Sequence, residues 1–336
     1  MANLERIRAR RFSGERRLPL LIEPATDHDD TSDILLKNRR EIENLLLEHG
    51  AILFRGFNVF SIADFGRVVD VLKQSTLAYE YRSTPRKQLG HEIYTASEYP
   101  AKHVIPMHCE NAYQRDWPTK LLFACSQPSE TGGQTPLADM VLVSQRLSKA
   151  CFDAFAKKGV CYIRNYHEGI DLGWQDVFQT EDQGEVEAMC RRMNIDFEWV
   201  DGERLRTRQT AQGIARHHVL DREVFFNQAH LFHVSSLGKE TSEALIETFG
   251  VDDLPRHACY GDMTQIPDEY LAEINAAYNA EKIAFDWVKG DLVLIDNMQI
   301  AHGRESFTGK RQILTSLCDP YSQRARPQNA LAERFA

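Results

Sequence analysis

The sequence predicts a mainly β fold with covering helices, an α+β chain built as a β-sandwich or jelly roll with helical additions. Short apolar segments bounded by turn residues recur along the chain, and a few other segments carry apolar residues at helical spacing. Strands and helices do not alternate regularly, and no GxGxxG motif follows a predicted strand. These two absences disfavour a dinucleotide-binding fold.

The predicted helices rest on apolar spacing and on their end signals. Gly50 follows the first helix as a C-cap, and Ser61 with Asp64 three residues later resembles a capping box. A proline at the first turn opens the last helix. The predicted helices cover residues 38–49, the segment after Ser61, about 141–157 ending at Gly159, and the segment from Pro267 through Tyr278.

The predicted strands are short runs rich in β-branched, aromatic and other apolar residues. The first of them is bounded by glycine, and the last two flank a polar segment that carries histidine and arginine. The predicted strands cover residues 51–57, 120–126, 160–166, 223–227, 285–288, 291–296 and 311–318.

The chain of 336 residues shows no long Pro/Gly/Ser linker, so we expect a single domain over residues 21–320. Residues 321–336 are a C-terminal tail, and residues 1–20 form a basic N-terminal arm. This arm is either solvated and partly disordered or a docking patch for an acidic partner. Its arginines are Arg6, Arg8, Arg10, Arg11, Arg16 and Arg17.

Charge and composition exclude several classes of protein. The net charge is −9 and the pI is near 5.8, which argues against a general nucleic-acid binder. No apolar run reaches the about 18 residues of a membrane span, and the N-terminus has no apolar secretory core. Seven scattered cysteines indicate a reducing cytoplasm rather than a disulfide scaffold.

A metal site is indicated by His108 and Glu110. In an extended segment, residues two apart project to the same face, so one imidazole and one carboxylate would point together. Two such ligands and a third imidazole make a facial triad, which leaves open positions for an oxygen-activating iron. The third candidate is His302, just after an apolar strand, where Gly303 removes a side chain beside the metal.

A second cationic residue follows the third ligand. The segment 308–310 (TGK) resembles a hairpin turn, so Arg311 is expected to fold back beside His302 on a neighbouring strand. A guanidinium binds a carboxylate through two hydrogen bonds, as needed to hold the distal carboxylate of 2-oxoglutarate. The alternative is an ordinary arginine on a surface hairpin.

The chain resembles the taurine dioxygenase-like iron(II)/2-oxoglutarate oxygenases, and within them the branch typified by the syringomycin-pathway aspartate hydroxylase. The resemblance implies a double-stranded β-helix, or jelly-roll, core. It extends from about residue 45 to 318 in the family's order. The matching stretches are 50–57, 93–100, 107–113, 117–118, 132–139, 160–166, 205–209, 226–228, 260–262 and 296–311.

The resemblance also implies roles for particular residues. His108, Glu110 and His302 match the iron ligands, and Thr135 and Arg311 match the residues that contact the 2-oxoglutarate carboxylate. Fe(II), 2-oxoglutarate and O2 are thus the expected cofactors and co-substrates. A halogenating relative needs a vacant site in place of the carboxylate. Because Glu110 is present, the resemblance favours hydroxylation, with epoxidation or desaturation as further outcomes.

The substrate is expected to be an amino-acid-like small molecule in peptide-antibiotic or other secondary metabolism, either free or tethered to a carrier protein. The basic arm would suit an acidic carrier. Asn111, Arg208 and Asn227 either line the substrate pocket or form structural hydrogen bonds. Arg304 either supports the ligands or meets a substrate carboxylate.

Two other functions compete with the oxygenase. A zinc-dependent hydrolase would use the same ligand types, although the sequence lacks HExxH and an evident general base. A non-catalytic jelly-roll binding protein would carry only a vestigial site.

Overall fold

The computed structural model describes residues 4–12, 18–26, 30–73, 75, 88–90, 93–96, 99–167 and 169–323. Its strands are β1 (Ile7–Arg11), β2 (Leu20–Pro24), β3 (Ala51–Phe54), β4 (Gln88–Gly90), β5 (Ile93–Thr95), β6 (Ile105–His108), β7 (Asp116–Gln127), β8 (Thr131–Gly132), β9 (Leu137–Asp139), β10 (Val160–Asn165), β11 (Asp196–Val200), β12 (Arg204–Ala211), β13 (Ile214–Arg216), β14 (Glu223–Phe225), β15 (Arg256–Tyr260), β16 (Leu292–Asp296), β17 (Ile300–Arg304), β18 (Phe307–Thr308) and β19 (Gln312–Ser322).

The α-helices of the described residues lie at the N-terminal end and in the segment between β9 and β16. They are α1 (Thr31–His49), α2 (Ile62–Leu72), α3 (Met140–Arg146), α4 (Lys149–Lys158), α5 (Trp174–Phe178), α6 (Gln183–Met193), α7 (Ala229–Phe232), α8 (Lys239–Phe249) and α9 (Asp268–Glu281).

Two β-sheets form the jelly-roll core, which confirms the predicted fold class. The larger sheet has the strand order β1-β2-β3-β16-β7-β19-β5-β4, and the smaller has the order β6-β17-β9. Apolar side chains of β9 and β17, such as Leu137 and Ile300, pack in one buried cluster with Leu53, Leu121 and Val293 of the larger sheet. This layer holds the two sheets together.

The opposite face of the larger sheet is covered by α1 and α2. Successive side chains of a strand point to opposite faces, so Leu53 enters the layer between the sheets while Ile52 and Phe54 pack against the helices. Both helices begin and end as their residues require. Gly50 ends α1 with a left-handed φ of 77°, and Ser61 and Asp64 form the predicted capping box.

A third sheet and the helices α3 to α9 lie between β9 and β16 in sequence. This sheet has the strand order β11-β12-β10-β15. Tyr162, Leu205 and Tyr260 of its strands share a buried cluster with Met107 and Tyr113, which flank the predicted ligand segment. The inserted sheet therefore shares its apolar core with the segment that carries His108 and Glu110, and the Tyr162 and Tyr113 rings lie 6.2 Å apart.

Several element predictions need correction. Helix α1 begins at Thr31 rather than residue 38, because Asp30 caps it. The segment 141–157 is two helices, since the first ends at Arg146 with Leu147 as its C-cap and Ser148 caps the second by accepting from the Cys151 amide. Residues 285–288 are not a strand: Phe285 and Trp287 are buried in alternation, but no neighbouring strand pairs with them.

The predicted hairpin between His302 and Arg311 is wrong. Strand β17 pairs with β6 and β9, whereas β19 pairs with β5 and β7 in the facing sheet. The intervening β18 pairs instead with β8. Arg311 therefore reaches the site from the opposite layer and not from an adjacent strand.

Part of the basic N-terminal arm is ordered. Residues 7–11 form β1, which pairs with β2 at the edge of the larger sheet and exposes Arg8, Arg10 and Arg11. Arg16, Arg17 and residues 324–336 of the predicted tail lie outside the described residues. Among the helices that the structure describes, none is long and apolar enough to span a bilayer. The boundaries at residues 20 and 320 stay predictions.

Candidate active site

The predicted triad converges where β6 pairs with β17. His302 lies directly opposite His108 in this antiparallel pair, so the two imidazoles share a face, with ring centres 4.6 Å apart. Glu110 follows β6, and its Oε2 lies 3.7 Å from His302 Nε2. Ligand atoms of the three residues all lie within 4.8 Å of one another, and no other group of this kind occurs in the described part of the chain. Two imidazoles and one carboxylate suit a ferrous ion with open coordination positions.

The close approach of the two strands depends on Gly303. A Cβ atom at this position would lie 2.7 Å from the Ile105 carbonyl oxygen and 3.3 Å from Met107 Sδ. The missing side chain therefore makes room for β6 rather than for the metal itself, which refines the prediction. The pairing also shifts register between His302 and Arg304, a bulge of the kind found beside active sites.

The imidazoles are oriented by contacts on their other sides. His108 Nδ1 lies 2.8 Å from the Pro106 carbonyl oxygen, which assigns the proton to Nδ1 and leaves Nε2 for a metal. The Phe123 ring from the facing sheet lies 5.2 Å from the His302 ring. The site is thus closed by an aromatic side chain behind one ligand.

Backbone groups of the ligand segment 107–110 are held by three buried side chains that the sequence predictions did not single out. Asn297 accepts from the Glu110 amide at 2.7 Å and donates to the Glu110 carbonyl at 2.9 Å. Gln228 donates to the Cys109 carbonyl at 2.7 Å, and His230 Nε2 lies 2.9 Å from the Met107 carbonyl. Buried polar groups need such partners. A single sequence gives no sign of them, because the contacts are tertiary.

The burial of His230 makes the folding stability depend on pH. Burial lowers the pKa of His230 to about 4, with the Met107 carbonyl opposing and His108 adding to the shift, so the ring is neutral at pH 7. In the unfolded chain a histidine titrates near about 6.5. As the pH falls below that value, the unfolded state takes up the proton before the folded state does. The free energy of unfolding therefore decreases from about pH 6.5 down to about pH 4.

We expect the free energy of unfolding to decrease by about 3 kcal/mol over this range. His230→Gln should remove this decrease, because glutamine does not titrate, and its amide can still donate to the Met107 carbonyl. Urea unfolding of the metal-free protein at pH 7.5 and at pH 4.5 measures the difference. Burial also lowers the pKa of His257 to about 4. Because His257 is present in both proteins, its contribution to the pH dependence cancels in the comparison. Equal pH dependence of wild type and variant would contradict the prediction.

A partly open cavity extends from the triad to Thr135 and Arg311. Arg311 Nε donates to the Gly133 carbonyl at 2.9 Å, and its Nη2 donates to Thr135 Oγ1 at 3.4 Å. Trp287 Nε1 also donates to Thr135 Oγ1, at 3.0 Å. A hydroxyl has two lone pairs and one proton, so Thr135 keeps its proton for a further acceptor. Both residues are therefore equipped to bind an anion.

Arg311 is a partly buried cation. Burial, together with the charge of Arg304, lowers its pKa to about 10, so it stays protonated at neutral pH. Among the described residues no carboxylate forms an ion pair with it, and a buried charge without a counter-ion is costly. Gly133 permits this arrangement, since a Cβ there would lie 3.0 Å from Arg311 Cδ at a φ of 71°. A bound carboxylate would supply the counter-ion.

The remaining predicted residues lie in different places. Arg304 lines the cavity, but its guanidinium donates to the carbonyls of residues 99, 100 and 103. Asn227 bonds the Gly213 carbonyl and the Ala229 amide, a structural role. Asn111, buried in a turn with a φ of 55°, and Arg208, on β12, are not among the residues that line the cavity.

The opposite wall of the cavity belongs to the inserted segment. Gln228 precedes α7, Leu231 and Phe232 lie on α7, and Arg256 begins β15. None of these four side chains was among the predicted site residues, although the predicted Asn227 is the neighbour of Gln228 in sequence. The chain therefore builds a metal centre between a polar, cationic pocket and a wall that carries both apolar and polar side chains.

Comparison with known proteins agrees with this geometry. The sequence model of the taurine catabolism dioxygenase TauD, TfdA family matches residues 16–318. The chain is 41% identical over 279 residues to the dapdiamide synthesis protein DdaC of Enterobacter agglomerans, covering 83% of this chain and 85% of that protein. It is 30% identical over 288 residues to a clavaminate synthase-like protein of Arabidopsis thaliana, covering 82% and 84%.

The fold is also found among solved structures. The crystal structure of the PvcB protein from Pseudomonas aeruginosa has a TM-score of 0.57 at 15% identity, with 94% of this chain and 92% of that one covered. At this identity the likeness concerns the fold alone.

Proposed function

Because the chain belongs to the taurine catabolism dioxygenase TauD, TfdA family, we propose that it hydroxylates an aliphatic carbon of an amino-acid-derived substrate. The protein is an oxygenase that depends on Fe(II) and 2-oxoglutarate. The observation that carries the proposal is the triad of His108, Glu110 and His302, which opens into the same cavity as Arg311.

In this proposal the triad holds the iron, with His108 binding through Nε2 because its Nδ1 faces the Pro106 carbonyl. When bound, ferrous iron with 2-oxoglutarate and O2 supplies the oxidation of an unactivated C–H bond, with release of succinate and carbon dioxide. Since Glu110 occupies the carboxylate position, oxygen transfer is favoured over halogenation.

Arg311 and Thr135 are proposed to hold the distal carboxylate of 2-oxoglutarate. The guanidinium provides charge, and the Thr135 hydroxyl donates its remaining proton. The apolar side chains of Phe123, Leu231 and Phe232 exclude water around the bound co-substrate. Together these residues fix the position of the co-substrate, and a misplacement of about 1 Å can cost about a hundredfold in rate.

The amino-acid-derived substrate is supported by the similarity to a protein named for dapdiamide synthesis. We propose secondary metabolism as the setting and a carrier-tethered acyl group as one form of the substrate. The exposed arginines of β1 would suit an acidic carrier, although Arg10 already pairs with Glu23 at 2.9 Å. Such an exposed ion pair is weak and exchanges readily.

The experiment is an anaerobic loading with Fe(II), followed by 2-oxoglutarate and air, with common L-amino acids or their thioesters on carrier protein or pantetheine as substrates. We expect succinate and a product heavier by one oxygen atom. A sample loaded with Zn(II) is the control and should give neither. Hydrolysis products from the zinc sample, without succinate from the iron sample, would favour the hydrolase. Turnover of free amino acids alone would remove the carrier from the proposal.

A further inference from the structure

The wall of the cavity that faces the co-substrate pocket carries one cation. Gln228, Leu231, Phe232 and Arg256 line this wall, and all of them belong to the segment between β9 and β16. The cavity has two other arginines. Arg304 is engaged by three backbone carbonyls, and Arg311 lies beside Thr135 in the co-substrate pocket. Arg256 is thus the cation on the cavity wall that the inserted segment forms.

The Arg256 guanidinium is held in a defined orientation. Its Nη2 donates to Asp171 Oδ1 at 2.8 Å, and its Nε donates to the second oxygen of the same carboxylate. This two-point contact fixes the plane of the guanidinium, whose carbon lies 5.6 Å from the centre of the Phe232 ring. The side chain is 27% exposed, so solvent and ligands can reach it.

Three charged side chains meet at this place. Arg164 Nη2 also approaches the Asp171 carboxylate, at 3.9 Å, so Asp171 contacts two guanidinium groups. Burial alone would raise the pKa of Asp171, but the charges and hydrogen bonds of these arginines hold it below its usual range. The Asp171 carboxylate therefore stays ionised at neutral pH. A guanidinium has five N–H groups, and the contact with Asp171 uses one on Nε and one on Nη2, so the group can contact other acceptors while it keeps Asp171.

We propose that Arg256 binds a carboxylate of the substrate and thereby orients the reacting carbon toward the metal centre. The inference rests on the proposed function and adds the charge of the substrate to it. The carboxylate has two sources. It is either the α-carboxylate of a free amino acid or a side-chain carboxylate of an acyl group whose α-carboxyl is consumed by a thioester.

The test uses the iron-loaded enzyme with common L-amino acids supplied as free acids, as α-carboxamides and as pantetheine α-thioesters. We measure succinate formation above the basal rate without substrate. Acceleration by free acids that carry only an α-carboxylate identifies the first source. Acceleration by carboxamides or thioesters of aspartate and glutamate, but not by their asparagine and glutamine counterparts, identifies the second.

The best substrate from this series is then compared in wild type and Arg256→Met. Because a charge-assisted hydrogen bond is lost, KM for this substrate should rise about 10- to 100-fold, while KM for 2-oxoglutarate stays within about twofold. Arg256→Lys keeps the charge without the planar fork and should lie between the two. A purely structural role would move both KM values together or change only the melting temperature.

The matched control is Arg204→Met. Arg204 also lies on the inserted sheet and pairs with an aspartate, Asp253, at 2.6 Å, with a similar exposure of 25%. It does not line the cavity. Its loss should leave both KM values unchanged. If Arg256→Met does not fold, Arg256→Lys and Asp171→Asn carry the test, because the latter frees the guanidinium from its anchor and should also raise KM for the substrate.

An unchanged KM in the variants, or equal acceleration by substrates without a carboxylate, overturns the inference. If the enzyme forms succinate at a basal rate that no carboxylate accelerates, the inference about Arg256 is also overturned, but the proposed oxygenase function is not contradicted. Absence of any succinate from the iron-loaded wild type contradicts the proposed function and removes this inference with it.

Discussion

Replacing Glu110 with glutamine is expected to weaken Fe(II) binding by more than about 100-fold and to abolish succinate formation. Loss of a residue that only supports a metal ligand costs about 10- to 100-fold in affinity, so loss of a ligand should cost more. Glutamine keeps the shape of the side chain and removes its charge beside His302 Nε2. The affinity is measured by anaerobic titration calorimetry with Fe(II), independently of turnover.

Cys109→Ala is the control for this prediction. Cys109 lies between the two ligands in sequence, but its side chain packs in the apolar cluster with Tyr113 and Trp117. Iron affinity should stay within a few fold of wild type in this variant. Retention of wild-type affinity by Glu110→Gln would mean that the carboxylate is not a ligand, and the proposed triad would be wrong.

Replacing Arg311 with methionine should raise KM for 2-oxoglutarate by about 100-fold, because about 3 kcal/mol of charge-assisted hydrogen bonding is lost. The iron affinity should change little, since Arg311 reaches the cavity from the larger sheet and is not one of the three ligands. The melting temperature of the metal-free variant should not fall sharply, because the substitution removes a partly buried cation for which the described residues supply no carboxylate.

Lys310→Met controls for a general loss of positive charge, because Lys310 is the exposed neighbour of Arg311. Its KM for 2-oxoglutarate should equal that of wild type. Arg311→Lys should recover only part of the affinity, since an ammonium group cannot form the planar two-point contact. A KM for 2-oxoglutarate that is the same in wild type and Arg311→Met would show that another group binds the co-substrate.

Part of the ligand set could be predicted from sequence because its signal is local. His108 and Glu110 are two residues apart, although the structure has only His108 on the strand and Glu110 in the turn that follows it. The capping box at Ser61 was predictable for the same reason, since both partners lie within one turn. His302 was the third candidate because it follows an apolar strand and precedes Gly303, and the resemblance to a family implied the same residue, since nothing local relates it to His108.

The sequence predictions that were wrong depended on which strands pair with each other in the folded protein. Residues 307–312 have the composition of a hairpin, yet Phe307 and Thr308 pair with β8 and leave β17 and β19 in separate sheets. Phe285 and Trp287 alternate with exposed residues as in a strand, but burial without a hydrogen-bonded neighbour does not make one. Arg256 escaped prediction because only the packing of the inserted sheet brings β15 to the cavity.

The pairing of β6 with β17 also bears on how the protein is made. Asn297, which clamps the Glu110 backbone, is 187 positions away from it in the chain, and His302 is still further on. A nascent chain on the ribosome therefore carries two of the ligands long before the third exists. Because the complete ligand set includes His302, the metal site can form only after the C-terminal strands have been synthesised and have paired with β6.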